Sequence, residues 1–149
     1  MRNINKIAQV ACITLICSFM LFGCGGLHEN GVPSGYIDKE EHFQENGAQD
    51  YTDYCKYTYD SSDDFVGNKE YKQIDDKDIG EIKPYFNNFE SWMVESGRKD
   101  EYDFDENWIS SGDYIKITYK IPNDKFADYT IYFFDMESLT LYYFHNNIW

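Results

Sequence analysis

The stretch Tyr114–Ile121, YIKITYKI, alternates without a fault: Ile115, Ile117, Tyr119 and Ile121 fall on one side, Tyr114, Lys116, Thr118 and Lys120 on the other. Successive side chains of a strand point to opposite faces, so this run reads as a strand with one face in and one face out. Pro122, Asn123 and Asp124 then turn the chain. Two further β-rich runs follow, Asp128–Phe134 (DYTIYFF) and Leu139–Asn146 (LTLYYFHN), separated by the short loop Asp135–Ser138 (DMES). Three consecutive strands with short connections predict an antiparallel meander. Apolar groups fall on both sides of residues 128–144, so the second face of the sheet is expected to be partly buried or sticky. Tyr51–Tyr59 (YTDYCKYTY), closed by the turn cluster Asp60-Ser61-Ser62-Asp63-Asp64, predicts another strand for the sheet edge, and Tyr71–Ile74 a short extended piece.

Between these β segments the period changes. Ile79, Ile82, Phe86, Phe89 and Met93 recur at intervals of 3, 4, 3 and 4, which is one face of an α-helix. Asp75 or Asp76 suits the N-cap, Asp78 and Glu81 suit the positive end of the helix dipole, and Gly97 suits the C-terminal cap. Pro84 removes an N–H and crowds the preceding turn, which predicts a broken or kinked helix from about 76 to 96. The expected fold is α+β: one kinked amphipathic helix packed on a three- to four-stranded antiparallel meander sheet, occupying residues 51–149.

Residues 1–23 read differently. Arg2, Lys6 and the α-amino group precede Ile7–Phe22, which carries no charge and is a little short for a span of about 20 residues. Leu21-Phe22-Gly23-Cys24 resembles the bacterial lipobox, with Leu at −3, a small residue at −1 and Cys at +1; Phe22 departs from the usual small or β-branched residue at −2. The resemblance implies a lipoprotein signal peptide cleaved before Cys24 and a diacylglyceryl thioether on Cys24. The protein would then be lipid-anchored on the extracytoplasmic face of the cell membrane, since two acyl chains hold where one gives only marginal binding. An uncleaved N-terminal anchor and an ordinary secreted protein are the other readings. Residues 24–50, rich in Gly, Asn and charge, are expected to be the lipidated N-terminus and a flexible tether, spanning on the order of 28 Å root-mean-square. His28 and His42 lie in it without a metal-ligand spacing.

The balance of charge and the cysteines exclude more than they assign. With 27 acidic and 13 basic residues and a net charge of −14, the chain has no basic patch for a phosphate backbone, so nucleic acid is not an expected partner. Cys12 and Cys17 lie in the leader and Cys24 would be lipidated. Cys55 is then left alone, which leaves no internal disulfide and suits a small buried hydrophobe. There is no G-x-S-x-G, H-E-x-x-H, Walker or G-x-G-x-x-G motif, and no cofactor is expected. In the acidic loop Asp100–Asn107, Asp103, Asp105 and Asn107 take positions 1, 3 and 5 of a calcium loop. Trp108 then stands where such a loop needs Gly and Tyr114 where it needs Glu, so a solvated loop is the expectation and no metal is assigned.

The blocks Tyr85-Phe86-Asn87-Asn88-Phe89, Trp92-Met93, Tyr102-Asp103-Phe104-Asp105, Tyr132-Phe133-Phe134-Asp135 and Leu141 to Asn147 together resemble a group of small uncharacterised proteins from low-GC Gram-positive bacteria, over residues 54–148. The resemblance implies a shared fold and carries no activity. With 14 Tyr, 11 Phe and 3 Trp, the chain has aromatics enough for a core, a rim and a recognition surface. Tyr114, Tyr132 and Tyr142 are the candidate exposed sheet residues for binding an extracellular protein or a glycan. The expected function is thus a non-catalytic, membrane-anchored binding or envelope-associated module. The alternative is a small hydrolase using the carboxylates of Asp103 and Asp105 with His145.

Overall fold

The computed structural model describes residues 31–44, 51–121 and 123–147. The leader, Cys24 and the first part of the expected tether lie outside these residues. The elements all fall in one compact unit, 33–149. They run β1 (Asp38–Gln44), β2 (Tyr51–Thr58), β3 (Lys72–Gln73), α1 (Asp76–Glu95), β4 (Tyr114–Tyr119), β5 (Asp128–Asp135) and β6 (Thr140–Asn147). Two short 3₁₀ turns, Lys99–Glu101 and Glu106–Trp108, lie between α1 and β4. No helix among the described residues is long and apolar enough to cross a membrane.

The architecture is α+β, with a six-stranded sheet in the order β1-β2-β6-β5-β4-β3 and every neighbouring pair antiparallel. The meander β4-β5-β6 forms its centre. The sheet is wider than the expected three to four strands because each edge gains one that the residue pattern conceals. At one edge β3 is only two residues long. At the other, β1 has the sequence DKEEHFQ, inside the stretch expected to be tether, so the folded unit starts before residue 51. Charged side chains on an edge strand deter pairing with another chain, and here they also find partners: Lys39 Nζ lies 2.6 Å from Glu41 Oε1, and Lys56 Nζ of β2 lies 3.4 Å from Glu40 Oε2. A bulge between Glu41 and Phe43 shifts the register at His42.

Helix α1 is continuous through Pro84 rather than broken. The carbonyl that Pro84 leaves without a helical donor is that of Gly80. Both residues are exposed, so water can take the place of the missing N–H. The start is fixed by a reciprocal box: Asp75 Oδ1 accepts from the N–H of Lys77 and Asp78, and Asp78 Oδ2 accepts from the N–H of Asp75. The end is a Schellman motif, with Arg98 N–H donating to Met93 O at 2.8 Å, Gly97 N–H to Val94 O at 3.0 Å, and Gly97 at φ 74°.

The helix lays Ile82, Phe86, Phe89 and Met93 on one face of the sheet. Phe144 is the centre of that layer: the rings of Tyr54, Phe86, Phe89 and Phe104 all lie 5.2–5.3 Å from it. Each fully buried aromatic of this kind contributes roughly 1.5–3 kcal/mol. The second face is covered at one end by the loop following β2. Phe65 stacks on Phe134 at 3.7 Å, and Tyr59 and Tyr71 pack edge-on against Phe65.

Candidate functional site

Register decides which of the expected site residues can meet. On β6, Tyr142, Phe144 and Asn146 face α1, while Tyr143, His145 and Asn147 face the other way. Asp103 lies on the helix side. Tyr54 Oη donates to its Oδ1 at 2.6 Å and Lys56 Nζ to its Oδ2 at 2.7 Å. Burial alone would raise the Asp103 carboxyl, but the bonds from Lys56 and Tyr54 outweigh it and hold the group below the usual range. Asp105 is a cap: its Oδ1 accepts from Asn107 N–H at 2.9 Å and Asn107 Nδ2 at 2.8 Å, which fixes the 3₁₀ turn Glu106–Trp108. Asp103, Asp105 and Asn107 therefore do not converge on an ion. No group of three or more His, Cys, Asp or Glu among the described residues is arranged to hold one. Asp103 and His145, paired in the hydrolase alternative, project from opposite faces of the sheet.

His145 sits instead between two carboxylates. Asp53 Oδ2 lies 3.6 Å from its Nδ1 and Asp128 Oδ1 lies 3.6 Å from its Nε2. Asp53 is its direct cross-strand partner on β2, and Asp128 enters diagonally from β5. All three side chains are buried, and Lys120 Nζ lies 3.0 Å from the far oxygen of Asp128. The three side chains thus link β2, β6 and β5 on the face away from α1. Cys55 is buried on the same face, as expected of a small hydrophobe.

The three candidate tyrosines do not form one surface. Tyr114, Tyr132 and Tyr142 are only 8%, 6% and 7% exposed. Tyr114 and Tyr132 lie on the face opposite α1 and Tyr142 on the helix side. The alternation that made Tyr114 look outward-facing is real, but both sheet faces are covered where the three tyrosines stand. Tyr142 lines an opening at the molecular surface.

That opening is a cleft of about 540 Å³ between the 3₁₀ turn Glu106–Trp108 and the β5–β6 hairpin, lined by Asn107, Trp108, Ser110, Asp135, Glu137, Ser138 and Tyr142. Its size lies in the ordinary range for small-ligand sites. Trp108 is 44% exposed, a large apolar ring left in water, with its centroid 5.9 Å from that of Tyr142 and 5.7 Å from that of Phe104. The turn that carries it is tied to α1 by Lys83, 3.7 Å from Glu106 Oε1. On the opposite wall, Asp135 accepts from Glu137 N–H at 2.9 Å and from Ser138 Oγ at 2.6 Å. Burial and the nearby Asp135 carboxylate push the Tyr142 phenol up to about 12, with Ser138 pulling the other way.

One buried residue joins the two walls. Asp113 accepts from Ser110 N–H at 2.8 Å and Ser110 Oγ at 3.0 Å through one oxygen, and from Met136 N–H at 3.1 Å through the other. Burial raises its carboxyl, although the donors from Ser110 and Met136 oppose that shift. Sequence reasoning missed this site. Trp108 had stood out only as a residue that breaks a calcium pattern, and Asp113 reads locally as the turn before a strand. Comparison with family models, with curated proteins and with solved structures returned no match, so geometry alone carries the functional argument.

Proposed function

We propose that the chain is a lipid-anchored binding module on the extracytoplasmic face of the cell membrane, and that the Trp108 cleft is its ligand seat. The anchor reading is supported by the charge-free run Ile7–Phe22 and the Leu21-Phe22-Gly23-Cys24 sequence that closes it. The binding reading is carried by one observation, a solvent-exposed tryptophan forming the wall of a cleft whose other residues are hydroxyls, an amide and carboxylates. Leaving an indole face in water is unfavourable, and covering it rewards any ligand with an apolar face or a cation. Asn107, Ser110 and Ser138 can orient that ligand by hydrogen bonds, as a glycan or a protein side chain would require. The module acts by capture rather than catalysis: none of the described residues lining the cleft is a histidine, cysteine or lysine, the Ser138 hydroxyl is bonded directly to the Asp135 carboxylate, and Asp103 and Asp105 are committed to holding neighbouring structure.

Two measurements test this. The intact mass of the protein from the membrane fraction should match a chain starting at Cys24 plus a diacylglyceryl group, and Cys24→Ser should abolish both that mass and membrane retention. Capture of isolated envelope material and extracellular protein by full-length Trp108→Ala should fall at least about tenfold, with an unchanged thermal midpoint. Equal capture by the variant would remove the cleft from the function.

A further inference from the structure

The fold repeats one arrangement around its surface: a lysine ammonium over a tyrosine ring with a carboxylate beside it. Lys116 Nζ lies 5.2 Å from the Tyr132 ring and 5.9 Å from that of Tyr71, and is bonded to Glu70. Lys99 Nζ lies 5.0 Å from the Tyr102 ring and is bonded to Glu90. Lys39 Nζ lies 5.7 Å from the Tyr57 ring and 2.6 Å from Glu41. A smaller depression of about 340 Å³, lined by Glu90, Tyr102 and neighbouring acids, thus has its own cation in Lys99.

The Trp108 cleft has two of these three parts. It presents the rings of Trp108 and Tyr142 and the carboxylates of Asp135 and Glu137, and none of its described lining residues is basic. Neither carboxylate forms an ion pair among the described residues. Resting on the reading of the cleft as a ligand seat, we propose that it takes the missing third part from outside: the ammonium group of a lysine side chain on a partner polypeptide. The indole is the strongest of the aromatic faces for a cation, and the carboxylates on the facing wall add Coulomb attraction. Asn107 and Ser138 lie where the partner's backbone could bond. A net charge of −14 draws a cationic partner toward the surface but does not select this spot; the ring does.

The experiment titrates the full-length protein with a blocked oligopeptide of alternating glycine and lysine, with its Nε-acetylated twin, and with a chito-oligosaccharide. Affinity is read by titration calorimetry for every variant, and the place of binding by the Trp108 indole N–H resonance, assigned with Trp108→Phe. The lysine peptide should shift this resonance saturably. Acetylation, Trp108→Ala and Glu137→Gln should each weaken binding, the first two by roughly tenfold or more. Equal binding of the acetylated peptide would overturn the proposal. So would undiminished binding of the lysine peptide to Trp108→Ala, which would mean diffuse charge attraction. If the sugar moves the Trp108 resonance and the lysine peptide does not, the ligand seat stands and the ammonium fails. If neither moves it and Trp108→Ala captures envelope material normally, both readings fail together.

Discussion

Asp113 shows how a residue that never touches a ligand can decide whether a site exists. Its carboxylate receives Ser110 from one wall of the cleft and Met136 from the other, and it is almost wholly buried. Truncation to Ala takes a charged acceptor from the Ser110 and Met136 N–H groups and the Ser110 hydroxyl, so Asp113→Ala should cost about 1.5–3 kcal/mol in urea unfolding. It should also weaken ligand capture by more than loss of one contact, because both walls lose their tie. Its pH dependence has a definite sign. Burial raises this carboxyl in the folded state above its unfolded value. The associated stability is therefore fully present below about pH 4 and is lost as the pH rises through the raised folded value. Asp113→Asn removes that slope, so its penalty should be larger at pH 3 than at pH 7. A penalty independent of pH would show that the Asp113 carboxyl titrates alike in both states.

Gly80 inside helix α1 and Gly97 just past its end should respond to substitution in opposite ways. Gly97 sits past the helix end at φ 74°, where a side chain is strained even though nothing lies within 4 Å of an added Cβ. Gly97→Ala should destabilise by about 1 kcal/mol. Gly80 lies inside the helix with the same open space around it, so Gly80→Ala should stabilise by about 0.5–1 kcal/mol through helix propensity and a less flexible unfolded chain. Thermal midpoints of the two variants moving in the same direction would contradict the account of the helix end. This scale is also where the sequence was most legible. The 3.6 period located α1, with Asp75 or Asp76 for its N-cap and Gly97 for its end, and the alternation of 114–121 located β4, because both signals are local. What was not legible is long-range. β1 is too charged to look like a strand and is held only by pairing with β2. Thr52 bonds Asn146 at a separation of 94 positions. Asp53 meets His145 through the same β2–β6 pairing, and Trp108 meets Tyr142 only once the loop has folded over the hairpin.

At the scale of the whole molecule the acidic surface and the proposed lipid anchor would act together. A net charge of −14 repels the anionic lipid surface to which the acyl chains would bind the protein, which favours holding the folded unit away from the headgroups. The same field acts on any soluble partner. A cationic partner is drawn in from beyond contact distance, and that attraction is screened once the Debye length falls to about 10 Å at 0.1 M salt. An uncharged glycan feels none of it. Association kinetics therefore separate the two ligand classes without knowledge of the exact ligand. With a lysine-bearing partner, the association rate constant should fall at least about tenfold between 0.01 M and 0.3 M salt, while the dissociation rate constant changes much less. With a neutral glycan both rates should be nearly flat. Stopped-flow tryptophan fluorescence, with Trp92→Phe and Trp149→Phe leaving Trp108 as the single indole, measures this. A flat association rate for the captured natural partner would place recognition in the indole face and the hydroxyls of the cleft. A steep one would place it in the carboxylates of Asp135 and Glu137 backed by the charge of the whole surface.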